Sequence, residues 1–135
     1  MRTREVGIVT RTNEAEHPVL DLEATILDRA EQAAARGMSA DTTTAIADAC
    51  RYLEDRFLPH AREEEAACLL MAQRDHRHPE GGCGEPEIVV LTTRLETLRD
   101  ALLREGPAPA LAEPVRTLLR DLAVRVHAHV GMPAG

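Results

Sequence analysis

The sequence predicts an all-α protein built as an antiparallel up-down-up-down four-helix bundle. Loop signals cut its 135 residues into four stretches, and within each stretch apolar residues recur at every third or fourth position. No run with the two-residue period of a strand competes, apart from a short extended arm expected at Val6 to Thr10. The length suits a single domain over residues 1–135, with 1–12 as an amino-terminal arm and 131–135 as a short tail.

The first helix is expected to open at Asn13-Glu-Ala-Glu16, which reads as a capping box, and to stop at Gly37 in a left-handed conformation. Its stripe is His17, Leu20, Ala24, Leu27 and Ala34, so His17 faces inward near the helix start. A second, long helix follows Ser39-Ala-Asp41, where Ser39 or Asp41 can cap, and runs to about Gln73, with a kink expected at Pro59. Its stripe is Ile46, Cys50, Leu53, Phe57, His60, Glu64, Cys68 and Met71. The third, from about Pro86 to Arg104, carries the apolar stripe Ile88, Leu91, Leu95, Leu98 and Leu102 and offers no ligand. The fourth, from about Pro114 to Val130, turns Val115, Leu118, Leu122, Val126 and His129 inward; His127 shares a stripe with Arg116 and Arg120 and is expected in solvent.

Composition narrows the function classes. Apolar residues make up 44% of the chain, yet it has one Tyr, one Phe and no Trp, so the core must be aliphatic. A net charge of −7, with all 16 basic residues arginine, lacks the basic excess that nucleic acid or an anionic membrane surface demands. The amino terminus has too short an apolar run for a signal peptide, and no segment approaches a membrane span, which points to the cytoplasm. In that compartment Cys50, Cys68 and Cys83, an odd number at no metal-like spacing, are expected to remain thiols.

The candidate chemistry lies in the run Phe57-Leu-Pro-His-Ala-Arg-Glu-Glu-Glu65. His60 and Glu64 stand four residues apart, one turn above another on the inward face of the helix. An imidazole nitrogen and a carboxylate oxygen so placed suit iron, manganese or zinc. In an antiparallel bundle His17, His60, Glu64 and His129 fall at one level, because the helical rise of about 1.5 Å per residue puts all four near one end. A buried Glu64 needs such partners. Of the acidic run Glu63-Glu-Glu65, only Glu64 is expected to point inward. His76, His78 and Cys83 form a second candidate group, in a loop whose Gly and Pro content accounts for it without a metal.

On these motifs the chain resembles the hemerythrin-like, or HHE cation-binding, family of four-helix bundles. Glu16-His17 resembles that family's first His motif, and Phe57 to Glu64 its second. His129 is similar to the last, in which a carboxylate follows four or five residues on; Pro133 and Ala134 hold those positions here. Leu91 and Leu95 stand where the family usually carries histidines on its third helix. The resemblance implies a carboxylate-bridged di-iron centre that binds oxygen, senses redox state or handles peroxide or nitric oxide. With only His17, His60, Glu64 and His129 retained, a mononuclear iron centre is the form expected, inside walls of Leu53, Phe57, Leu91 and Leu95.

Two alternatives follow from the same departures. An apolar bundle with histidines near one end can hold haem through an axial imidazole. A metal-free descendant of the fold would act as a regulatory or partner-binding bundle. The partners expected are a small-molecule ligand or substrate and, in the last case, another protein or a second copy of the chain.

Overall fold

The computed structural model describes residues 15–76 and 82–131. The expected arm at Val6 to Thr10, Asn13 of the capping box, His78, and Pro133 and Ala134 lie outside them. The described residues are helical, without a strand, and form four rods.

The first rod is α1 (residues 15–23) followed by α2 (Thr25–Arg36), joined by a tightened turn at Ala24. Leu27 N–H bonds the Ala24 carbonyl at 2.9 Å, three residues back instead of four, and the Thr25 hydroxyl takes the Leu22 carbonyl at 2.8 Å. Gly37 ends the rod, as its glycine demands, though at φ 131° and ψ 157° and not in the left-handed helical region. That conformation is open essentially to glycine alone.

Ser39 caps the second rod. Its hydroxyl accepts from Thr42 N–H at 3.3 Å while its own N–H bonds Thr42 Oγ1 at 3.2 Å, so a threonine completes the reciprocal box. Helix α3 (Ala40–Tyr52) runs into a π turn (Leu53–Phe57) and then α4 (Leu58–Asp75). The π turn is how the rod accommodates Pro59. Proline brings no N–H to the ladder, and a turn widened by one residue, with Leu58 N–H reaching the Leu53 carbonyl, relieves the mismatch just ahead of it.

Helix α5 (Pro86–Glu105) starts and stops where its Pro86 and Gly106 require. A 3₁₀ turn (Pro109–Leu111) leads into α6 (Ala112–Gly131), which begins two residues ahead of Pro114. Helix α2 packs on α3 and α6, α3 on α5, and α5 on α6, so the rods close a ring around one core. Among the described residues no helix is long and apolar enough to cross a membrane.

The core contains the expected stripes, including Leu27, Leu53, Phe57, Leu95 and Val126, all with 0% exposure. Small alanines at 24, 30, 34 and 49 are also buried, which lets the first two rods approach closely. Three expectations are corrected. Met71 is 49% exposed, because α4 continues past the level where the described parts of the first and last rods end. The third rod is not wholly apolar inward: Thr92 is buried with a hydroxyl that has no partner. Cys68 and Cys83 are not free thiols but form a disulfide between α4 and the turn before α5, with Cα atoms 5.9 Å apart. Linear spacing does not reveal that the two residues meet; a loop of this length gains about 3 kcal/mol from closure. Cys50 remains a free thiol, buried, and burial pushes its pKa up to about 12.

The only tyrosine ties the first rod to the second: Tyr52 donates its hydroxyl to the Leu20 carbonyl at 2.8 Å. Burial, helped by the charges of Glu23 and Asp21 and opposed by Arg56, raises the phenol well above the usual tyrosine range. A folded-state pKa above the unfolded value near 10 means a contribution that is full below pH ~10 and lost as pH rises through the folded value. Tyr52→Phe should therefore cost about 1 kcal/mol in urea unfolding at neutral pH. The native protein should show phenolate absorbance only well above pH ~10; ordinary titration near pH ~10 would contradict this bond.

Candidate metal centre

Four side chains from three helices meet at one end of the bundle. Helix α1 supplies His17, α4 supplies His60 and Glu64 just beyond the π turn, and α6 supplies His129 in its last turn. One ligand atom from each lies within 4.8 Å of all the others. These are the four residues expected from the sequence, brought together as their heights implied.

The geometry centres on the Glu64 carboxylate. Its Oε2 stands 3.1 Å from His17 Nε2, and its Oε1 stands 2.6 Å from His129 Nε2 and 2.7 Å from His60 Nε2. The first two are hydrogen bonds. The third is close without the alignment of one, so His60 Nε2 is buried and lacks a hydrogen-bond partner. His60 is 2% exposed. The three imidazole rings have centroids 4.9 to 6.0 Å apart, and Phe57 lies edge-on to His129 at 5.5 Å.

The far ring nitrogens are also held. Glu16 Oε2 is 2.9 Å from His60 Nδ1, and Glu85 Oε1 is 2.7 Å from His129 Nδ1. An ionised carboxylate can only accept, so both Nδ1 atoms carry the proton and donate it. This leaves each Nε2 to face Glu64. His17 Nδ1 is buried without a partner.

The electrostatics follow. Burial alone would raise the Glu64 carboxyl, but the hydrogen bond from His129 and the close charged contacts of His60 and His129 outweigh it and hold the group well below the usual carboxylate range. For His60, burial opposes protonation, yet the carboxylates of Glu64 and Glu16 raise the imidazole above its ordinary value. For His129 the bond to Glu64 raises it, burial opposes, and Glu85 adds to the rise. His60 and His129 face carboxylates through both ring nitrogens, so each needs positive charge at Nε2 in addition to its Nδ1 proton. Protons supply it in the metal-free protein, and one cation can supply it in their place.

The donor set fits a single ion. Ligands about 2.1 Å from one ion stand at most about 4.2 Å apart, so small side-chain rotations close the present spread. Carboxylates on the outer nitrogens of metal-bound histidines orient the rings and raise their basicity, which is the role open to Glu16 and Glu85.

Sequence reasoning missed Glu85 altogether. The third helix offers no ligand of its own, but the residue just before Pro86 brings a carboxylate to His129. Its only local signal is an acidic residue at a helix start. Glu16 entered only as a neighbour of His17. Leu53, Phe57, Leu91 and Leu95, expected as walls of the site, are all in the core, and of these Phe57 touches a site histidine. His127 is not solvated as expected; it is half-buried, with Nδ1 2.8 Å from Asp21 and Nε2 3.0 Å from Asp28. Those acids lie on the first rod, which packs against α6. Cys83 is removed as a ligand by its disulfide. Glu65 is also partly inward, since a Cβ on Gly84 would come within 2.8 Å of its carboxyl carbon.

In the metal-free protein, Glu64→Gln should lower stability by about 1–3 kcal/mol in urea unfolding, because hydrogen bonds to a charged group carry about 1.5–3 kcal/mol. A loss under ~0.5 kcal/mol, the range of an ordinary surface substitution, would show that the histidines do not engage this carboxylate. Comparison of the chain with protein-family models, curated proteins and solved structures finds no match, so the chemistry of the centre is read from its own donor atoms.

Proposed function

We propose that the protein is a metal-binding bundle whose centre holds one ion through His17, His60, Glu64 and His129. The observation that carries this is the convergence of three Nε2 atoms on one carboxylate, with two of the rings held from behind by Glu16 and Glu85. Three imidazoles and a carboxylate suit iron, manganese or zinc. Iron is the metal we favour, on the resemblance to hemerythrin-like bundles. The ring of helix contacts and the short links at 37–39 and 106–111 support the up-down-up-down layout that this resemblance implies.

A single ion is favoured over a bridged pair. Leu91 and Leu95, at the positions where the family usually carries third-helix histidines, are buried and apolar. Haem is disfavoured by the same crowding. A porphyrin needs the plane around its axial imidazole clear, whereas three imidazoles and a carboxylate here surround one point. Bound iron would supply reversible redox chemistry and an affinity for oxygen, peroxide or nitric oxide. The chain's own part is to orient the imidazoles, hold the Nδ1–H groups of His60 and His129 as donors to Glu16 and Glu85, and line one side with Phe57.

A second reading rests on one observation: His17 and His129 hydrogen-bond Glu64 directly. The cluster would then be a polar lock between rods, in a bundle that binds a partner.

Titrating the metal-free protein with Fe(II) under anaerobic conditions, and with Mn(II) and Zn(II), separates the two. Metal binding predicts one ion per chain and a raised melting temperature, since ligand at 100 times Kd adds about 2.7 kcal/mol to the folded state. His60→Gln should abolish the shift while the protein still melts cooperatively. Metal at background and an unchanged melting temperature with all three ions would leave only the polar lock.

A further inference from the structure

The disulfide lies close to the centre along both strands of chain that it joins. Cys68 is one helical turn after Glu64 on α4, and Cys83 is two residues before Glu85, whose carboxylate holds His129 Nδ1 at 2.7 Å. Both cysteines are only partly buried, so a small reductant can reach them. Between Cys83 and Glu85 stands Gly84, at φ +88°. Its backbone sits so close to Glu65 that a Cβ would fall 2.8 to 3.1 Å from that carboxyl group. Glu85 itself starts α5, its carbonyl accepting from Val89 N–H at 3.2 Å. The start of α5 is thus set against α4 at two adjacent points, a covalent one at Cys83 and a packed one at Gly84.

We propose that the Cys68–Cys83 bond is a redox site that holds Glu85 on His129, so that its reduction by a dithiol weakens metal binding at the centre. The proposal rests on the metal-binding reading above. The reaction is complete as written: the reductant gives two electrons and two protons, the sulfur–sulfur bond breaks to two thiols, and the reductant closes its own disulfide. Once the covalent tie is cut, only the packed contact at Gly84 holds the start of α5 to α4, and Gly84 has the conformational freedom of glycine to leave it. His129 then loses the carboxylate that orients its ring and raises the basicity of Nε2.

Three measurements test this. Native protein purified in air should yield one alkylatable thiol after unfolding without reductant, that of Cys50; three would overturn the proposal at its first step. Zn(II) affinity, read by competition with a chromophoric chelator, should fall about 10- to 100-fold in the Cys68→Ser/Cys83→Ser variant and by a similar factor in Glu85→Gln. Combining all three substitutions should cost nothing further. Serines also remove the thiols that would themselves bind Zn(II). Equal affinity in the double variant and the oxidised wild type would overturn the proposal.

The third measurement needs neither a metal nor a variant. In the metal-free wild type, the downfield NMR signal of the His129 Nδ1 proton should be present when oxidised and lost after dithiothreitol. Its persistence would overturn the proposal. If the wild type takes up no metal at all, the metal reading fails and the claim about affinity falls with it; the proton signal then shows separately whether the disulfide governs the Glu85 contact.

Discussion

The end of the bundle is organised by one charge, the Glu64 carboxylate. A carboxylate withdrawn from water is costly unless it is met by hydrogen bonds and opposite charge. Here imidazoles from α1, α4 and α6 meet it within 3.1 Å. That requirement ties together three rods, beside the directional contacts that His127 makes with Asp21 and Tyr52 with the Leu20 carbonyl. Elsewhere the bundle depends on aliphatic packing, on turn chemistry such as the Ser39–Thr42 box, and on single inter-rod hydrogen bonds such as that of Tyr52 to the Leu20 carbonyl.

The same charge explains why the neighbourhood is layered. Histidines that face a carboxylate through Nε2 must place their Nδ1 protons somewhere, and for His60 and His129 the acceptors are Glu16 and Glu85. Three carboxylates and three imidazoles thus form a nearly closed network. The loose ends are the unpartnered His17 Nδ1 and the misaligned His60 Nε2, both buried. Such orphans are uncommon in folded proteins and mark places where a further group is accommodated. His60 Nε2 stands 2.7 Å from Glu64 Oε1, within the group of four that the proposed ion would occupy.

Part of the backbone irregularity lies along the elements that carry this network. The π turn at Leu53–Phe57 immediately precedes Pro59 and His60, and the tightened turn at Ala24 follows His17 by two turns of helix. At the far side the disulfide and Gly84 position the residue that reaches His129. The rigid rods carry the ligands, and the less regular joints adjust the outer contacts.

Much of this was legible in the chain alone. The four rods, the inward stripes through Leu27, Leu53, Leu95 and Val126, and the stops at Gly37 and Gly106 follow from helical periodicity and local backbone preference, which are properties of a few consecutive residues. The inward facing of His60 and Glu64 has the same origin, and helical rise sufficed to bring His17 and His129 to their level. The tertiary structure alone decided the pairing of Cys68 with Cys83, the reach of Glu85 to His129, the two aspartates on His127 and the burial of Thr92. Each depends on how far one rod or turn stands from another. A repeat of 3.6 residues states which way a side chain faces; it carries no information about what a separate segment, brought close by folding, places opposite it.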